Sequence, residues 1–185
     1  PESRSFGTRW FHSPWAGEGW ETTDRRIYRT EASGPTKLSW DTANFPITDW
    51  EAYNDARYNR LAPSRITGQT LQFPVGDLRM RAVVTPESEG LRVLASIKAR
   101  GQTFQAALED GAAIVRMRDA DGPWSELGRT PYKGLKAGAS TSVEFWQVDQ
   151  SLQIWINGKR IVEGVYDWTP GIRLYHSTGR DGGAY

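Results

Sequence analysis

The stretch TSVEFWQVDQSLQIWINGKRIVEG, from Thr141 to Gly164, decides the fold. Val143, Phe145 and Gln147 alternate with Glu144, Trp146 and Val148; beyond Asp149-Gln150, Leu152, Ile154 and Ile156 alternate with Gln153 and Trp155. A two-residue period of this kind belongs to strands with one buried face. Asn157-Gly158 marks a tight reversal, because both central residues of a type I′ turn need positive φ, which Asn and Gly adopt most readily. The stretch therefore predicts a three-stranded antiparallel meander. If Asp149-Gln150 is a two-residue loop, Phe145 faces Ile154 and Val143 faces Ile156 on the inner surface, with Trp146 and Trp155 diagonal on the outer one. The same counting across Asn157-Gly158 sets Trp155 opposite Arg160, within reach of a cation–π contact.

Working outward, Leu78, Met80, Ala82 and Val84 alternate with Arg79 and Arg81. Leu91, Val93, Ala95 and Ile97 alternate with Arg92, Ser96 and Lys98, and Phe104, Ala106 and Leu108 follow Gly101. Ala112 to Arg118 reads as a further strand, ended by a turn at Asp119 to Trp124. Pro131 to Gly138 reads as a basic, glycine-punctuated loop and Ile172 to His176 as a last strand. Strands near ten-residue spacing with no secure helix predict an all-β sandwich or jelly roll of two antiparallel sheets and roughly a dozen strands. Residues 1–34 hold Trp10, Trp15 and Trp20 without a sustained period. They read as an extended arm leading into a short strand at Arg25 to Arg29 and packed on the sandwich, because each indole can bury on the order of 150–250 Å². Thr36 to Trp40 is expected to be a strand. Phe45 to Tyr53 supports two readings: Thr48 and Glu51 have capping-box spacing, with a helical face through Trp50, Tyr53, Arg57 and Leu61, while Ile47, Asp49, Glu51 and Tyr53 alternate as in a strand. We read a strand, followed by a long loop over 54–76.

The chain's 185 residues fit a single domain over 1–185. Lys plus Arg number 23 against 22 for Asp plus Glu, a formal charge of +1 with no basic stripe, which argues against nucleic-acid binding. The absence of cysteine excludes disulfides, thiolate metal sites and a Cys nucleophile. No apolar run approaches the ~20 residues of a membrane helix. The chain starts at Pro1 and ends in a turn-like GRDGGAY, so we expect a fragment of a longer protein.

Motifs for chemistry are scarce. Glu144 is the one carboxylate well inside a strand of clear, unambiguous alternation and has no carboxylate two positions away, whereas concanavalin-like glucanases place theirs on alternate residues. Glu87 and Glu89 have that spacing but fall in the turn PESEG. His12 and His176 lie in unrelated segments and offer no ligand spacing. Asp119-Ala120-Asp121-Gly122 opens like a calcium loop, yet Pro123 and Trp124 stand where further oxygen ligands are required. Gly17-Glu18-Gly19 lacks the third glycine of a dinucleotide site, and neither a Gly-x-Ser-x-Gly elbow nor a P-loop is present. No catalytic residue, metal ligand or cofactor is expected.

The hairpin VEFWQVDQSLQIWINGKRI resembles the paired strands of concanavalin A-like lectin and laminin G-like sandwiches over about one eighth of the chain. A wider resemblance runs through GTRW and GW, PITDWEAYN and VGDLRMRA: in that order they look like the long insertion of some bacterial signal peptidase I proteins. That likeness implies an extracytoplasmic domain, membrane-tethered through its parent chain, in a serine peptidase acting by a Ser–Lys dyad. The dyad's own segments have no counterpart here. The expected function is thus a non-catalytic accessory or binding domain. The alternatives are a carbohydrate-binding module, with a glycan or protein ligand on Trp146, Trp155, Glu144, Gln153 and Arg160, and more remotely a jelly-roll glycosidase. Either those tryptophans are an exposed platform or the Trp-rich arm covers them as a second core layer.

Overall fold

The computed structural model describes residues 13–24, 26–43, 47, 77–99, 101–119 and 121–172. The chain divides into two compact units, Pro1–Val75 with Tyr185, and Gly76–Ala184. In the first unit, β1 (Trp15–Ala16) pairs antiparallel with β4 (Ser39–Trp40), and β2 (Glu21–Asp24) pairs with β3 (Ile27–Arg29). The β1–β4 pair sets Trp15 edge-on to Trp40, ring centroids 5.4 Å apart. Two of the predicted strands shorten accordingly, to Ile27–Arg29 and Ser39–Trp40. The expected strand over 45–53, the strand-or-helix span 48–61, the loop over 54–76 and residues 1–12 of the expected arm lie outside the described residues, apart from Ile47.

The second unit is an all-β sandwich of two four-stranded antiparallel sheets. The first sheet has the order β12 (Lys159–Val165), β11 (Ser151–Ile156), β10 (Thr141–Val148), β5 (Leu78–Val84). The second has the order β6 (Val93–Ala99), β7 (Gln102–Glu109), β8 (Ala112–Asp119), β9 (Ser125–Pro131). The chain crosses between sheets after β5 and after β9. The second crossing brings β10 back beside β5, a connectivity compatible with a jelly roll. The predicted register holds: Val143 pairs with Ile156, Phe145 with Ile154 and Trp155 with Arg160. Asp149 and Gln150 have φ of 48° and 62°, and Asn157 and Gly158 have 49° and 77°, as two-residue type I′ loops require.

Alternation along each strand sends one set of side chains inward. Phe104, Ala106, Leu108, Ala113 and Val115 from the second sheet meet Phe145, Leu152, Ile154, Ile156 and Val162 from the first. Tyr166, just after β12, closes one part of this core. Its ring centroid lies 5.2 Å from that of Phe104 and 4.8 Å from that of Trp168, and its hydroxyl accepts a 2.8 Å hydrogen bond from buried Gln147 Nε2. A second, small buried cluster of Ala107, Ala112 and Ile114 uses the opposite faces of β7 and β8. At one edge of the sandwich β9 meets β12, and glycines make the approach possible. A Cβ on Gly128 would sit 2.5 Å from the Glu163 carbonyl oxygen, and one on Gly164 would sit 2.7 Å from the Leu127 carbonyl carbon.

Two expectations change. β9 was not anticipated, since SELGRTP has no clean period and a bulge after Val115 shifts its register on β8. Pro170 to Ile172 is helical, so a strand does not begin at Ile172. The remainder of that segment lies outside the described residues.

Candidate functional site

The outward residues of the first sheet are Arg79 and Arg81 on β5, Glu144 and Trp146 on β10, Gln153 and Trp155 on β11, and Arg160 and Glu163 on β12. All five residues singled out in the sequence therefore share one face. Trp146 and Trp155 occupy diagonal positions, and their rings stack with centroids 5.1 Å apart at an interplanar angle of 26°. Arg79, paired directly with Trp146, holds its Cζ 5.0 Å from the Trp146 ring centroid. Because β5 and β11 flank β10 on opposite sides, Arg79 and Trp155 reach Trp146 from opposite directions. The indoles form the middle of a stack running across the sheet, and both are half-buried. Such contacts contribute roughly 0.5–1.5 kcal/mol each beyond area burial.

The polar groups are arranged around this stack. Glu144 is 6% exposed despite facing outward. Its Oε2 accepts hydrogen bonds from Arg79 Nε at 2.9 Å and from Trp146 Nε1 at 2.8 Å, and Arg81 Nε lies 3.7 Å from Oε1. Gln153 accepts from Trp155 Nε1 at 2.9 Å and donates to Ser151 Oγ and Glu163 Oε1, each at 3.0 Å. Arg160 ion-pairs with Glu163 at 2.8 Å. The cation stacked on the pair is therefore Arg79, over Trp146, while Arg160 turns its guanidinium to Glu163. Sequence reading could not find Arg79 and Arg81 as partners, because the hydrogen bond from Arg79 to Glu144 joins residues 65 apart. Their alternation with apolar neighbours showed only that they face outward.

The Arg79 guanidinium holds the Glu144 carboxyl below its usual value of about 4.5. Trp146 and the charge of Arg81 add to this, and burial opposes it. A carboxyl whose folded pKa is depressed adds stability that is present above its unfolded pKa and is lost as pH falls through its folded pKa. We expect Glu144→Gln to lower the unfolding free energy by about 1–2 kcal/mol at neutral pH, the scale of hydrogen bonds to a charged group. Below about pH 4.5 the gap between wild type and variant should narrow, as urea unfolding at a series of pH values would reveal. A gap independent of pH would show that Glu144 is not held ionised by these partners.

Among the described residues, the other candidates do not assemble into a reaction centre. Glu87 and Glu89 are exposed, Glu89 accepting from the Ala137 backbone at 3.1 Å. Asp119 accepts from the Gln102 side chain and Asp121 is exposed. Gly17 to Gly19 form the link between β1 and β2. His12 and His176 lie outside the described residues. Among the described residues no three His, Asp or Glu side chains come together as a metal site would need, and no helix is long and apolar enough to cross a membrane.

Fold and face together define the second unit as a β-sandwich carrying an arginine–tryptophan stack on the outer surface of one sheet. No protein-family model, curated protein or solved structure matches the chain.

Proposed function

We propose that the chain is a non-catalytic extracytoplasmic accessory domain that binds its ligand at the Trp155 end of the stack, beside Gln153 and Arg160. The observation that carries this reading is the asymmetry of the stack. Trp146 is approached by Trp155 on one side and Arg79 on the other, whereas among the described residues no cation stacks on Trp155. An indole held in place by its neighbour loses little freedom on binding, and the C–H face of a sugar ring is the kind of flat apolar surface that packs on it. A glycan is the ligand class we favour; a protein surface offering an aromatic or aliphatic side chain is the alternative. Glu144, saturated by donors and biased toward its ionised form, is suited to positioning Trp146 rather than to donating a proton. This weighs against the jelly-roll glycosidase reading, which needs a carboxylic acid with a raised pKa.

The resemblance of GTRW, PITDWEAYN and VGDLRMRA to the insertion of signal peptidase I proteins supports a location outside the cytoplasmic membrane, with the tether and any Ser–Lys dyad elsewhere in the parent chain. The lectin-like and laminin G-like character of the 141–164 hairpin supports the binding role. Glycan-array screening followed by calorimetry tests it. Trp155→Ala should reduce affinity for the best glycan at least tenfold, a loss of about 1.4 kcal/mol or more. Absence of any glycan binding, or affinity unchanged by Trp155→Ala, would reject this face as the ligand site.

A further inference from the structure

We propose that the outer face of the second sheet holds a separate oxyanion site, formed by Lys98, Thr103 and Arg118 beside Trp124. The register sets these residues in a row across three strands: Lys98 on β6 pairs with Thr103 on β7, which pairs with Arg118 on β8. At about 4.8 Å between neighbouring strands, the backbones of the two cationic residues stand roughly 10 Å apart, with the buried Thr103 between them. Arg118 holds its Cζ 4.6 Å from the Trp124 ring centroid, and Arg116 places its own 5.0 Å from the same ring.

The adjacent row shows what a self-satisfied arrangement looks like. Gln105 donates to Ser96 at 3.0 Å, Arg116 Nε donates to Gln105 Oε1 at 2.8 Å, and Arg116 ion-pairs with Glu109 at 3.2 Å. Two residues along the strands, neither Lys98 nor Arg118 has an ion-pair partner among the described residues. Arg118 Nε is moreover buried without an acceptor. Buried donors in folded proteins nearly always find an acceptor, and an unpaired guanidinium held against an indole is a preorganised one. Of the acids near this row, Glu109 pairs with Arg116, Asp110 with Arg92, Asp119 accepts from Gln102 and Glu126 pairs with Arg129 through two bonds of 2.9 and 2.7 Å, while exposed Asp121 forms no ion pair with Lys98 or Arg118 among the described residues. The missing counter-charge is therefore supplied from outside, by the carboxylate, sulfate or phosphate group of a ligand. This site lies on the other sheet from the Trp155 face and does not depend on it.

Titration with sodium glucuronate, sulfate and phosphate, at ionic strength held constant with chloride, tests the proposal through the Arg Nε–H resonances in two-dimensional NMR. A saturable shift of the Arg118 Nε–H is expected. Lys98→Gln, which alters an exposed side chain, should weaken binding on the order of tenfold by removing one charge-assisted contact. Arg118→Gln, read through the adjacent Trp124 indole Nε1–H, should abolish binding, and Arg129→Gln should leave it unchanged because Glu126 already occupies that guanidinium. Tighter binding of glucuronate than of sulfate and phosphate identifies a carboxylate ligand, and the reverse order identifies an ester. No saturable shift, a shift equal to that in chloride alone, or one insensitive to both Lys98→Gln and Arg118→Gln overturns the proposal.

Discussion

Truncating Phe104 to alanine is expected to lower the unfolding free energy of the sandwich by about 3–5 kcal/mol, a large part of what a domain of this size possesses. Phe104 is 1% exposed and stands on the inner face of β7, paired with Ile97 on one side and Met117 on the other. Its ring also meets Tyr166 at 5.2 Å and Trp168 at 6.4 Å between centroids, so it joins the second sheet to the segment that follows β12. Removing the ring leaves a cavity bounded by strands fixed in two hydrogen-bonded sheets, which collapse poorly into it. It also loosens Tyr166, whose hydroxyl is the acceptor for buried Gln147 Nε2. Phe104→Leu, which keeps most of the volume, should cost far less. Urea denaturation measures both through the shift of midpoint at constant slope. A loss below about 1.5 kcal/mol for Phe104→Ala would mean that the junction of Phe104 with Tyr166 and Trp168 is not a fixed part of the core.

The fold was legible where local rules suffice. Between Thr141 and Gly164 a period of two, a two-residue loop and an Asn-Gly reversal fix the register by counting alone. Phe145 falls opposite Ile154, and Trp155 opposite Arg160, because both turns are tight. β9 escaped notice because its local signal is weak: Leu127 lies beside a bulge, and Gly128 is selected by the approach of β12 rather than by strand propensity. The site was legible in membership but not in arrangement. Alternation placed Trp146, Trp155, Glu144 and Gln153 on the outer face. It could not show that Arg79, brought alongside β10 by the crossover, would stack on Trp146, nor that Arg160, expected against Trp155, would instead be held by Glu163 three residues away on its own strand. Pairings across a crossover leave no periodic trace, so the chemistry that depends on them emerges only with the sheet order.

The glycine pair at the β9–β12 edge gives the second large effect, and its sign depends on two opposing contributions. Gly→Ala at a compatible site stabilises by about 0.4–1 kcal/mol, because alanine restricts the unfolded chain. Neither Gly128 nor Gly164 is among the residues with positive φ, so backbone conformation alone would permit alanine at both. Contact forbids it. A Cβ at Gly128 would lie 2.5 Å from the Glu163 carbonyl oxygen and 3.2 Å from Val162 Cγ2, and one at Gly164 would lie 2.6 Å from Leu127 Cβ and 2.7 Å from its carbonyl carbon. The obstruction is mainly backbone on both sides, so relief requires β9 and β12 to separate, and overpacking of this kind costs about 1–3 kcal/mol or more. We expect each single alanine variant to lose about 2–3 kcal/mol in urea unfolding, outweighing the entropic gain. The double variant should lose clearly less than the sum, since strands already parted by the first methyl group accommodate the second at little further cost. Gly134→Ala serves as the contrast. With φ of 92° and nothing within 4 Å of its virtual Cβ, it tests backbone strain without a clash and should lose only about 1 kcal/mol. Additive losses at Gly128 and Gly164, or losses no larger than at Gly134, would show that the two sheets do not meet backbone to backbone at this edge.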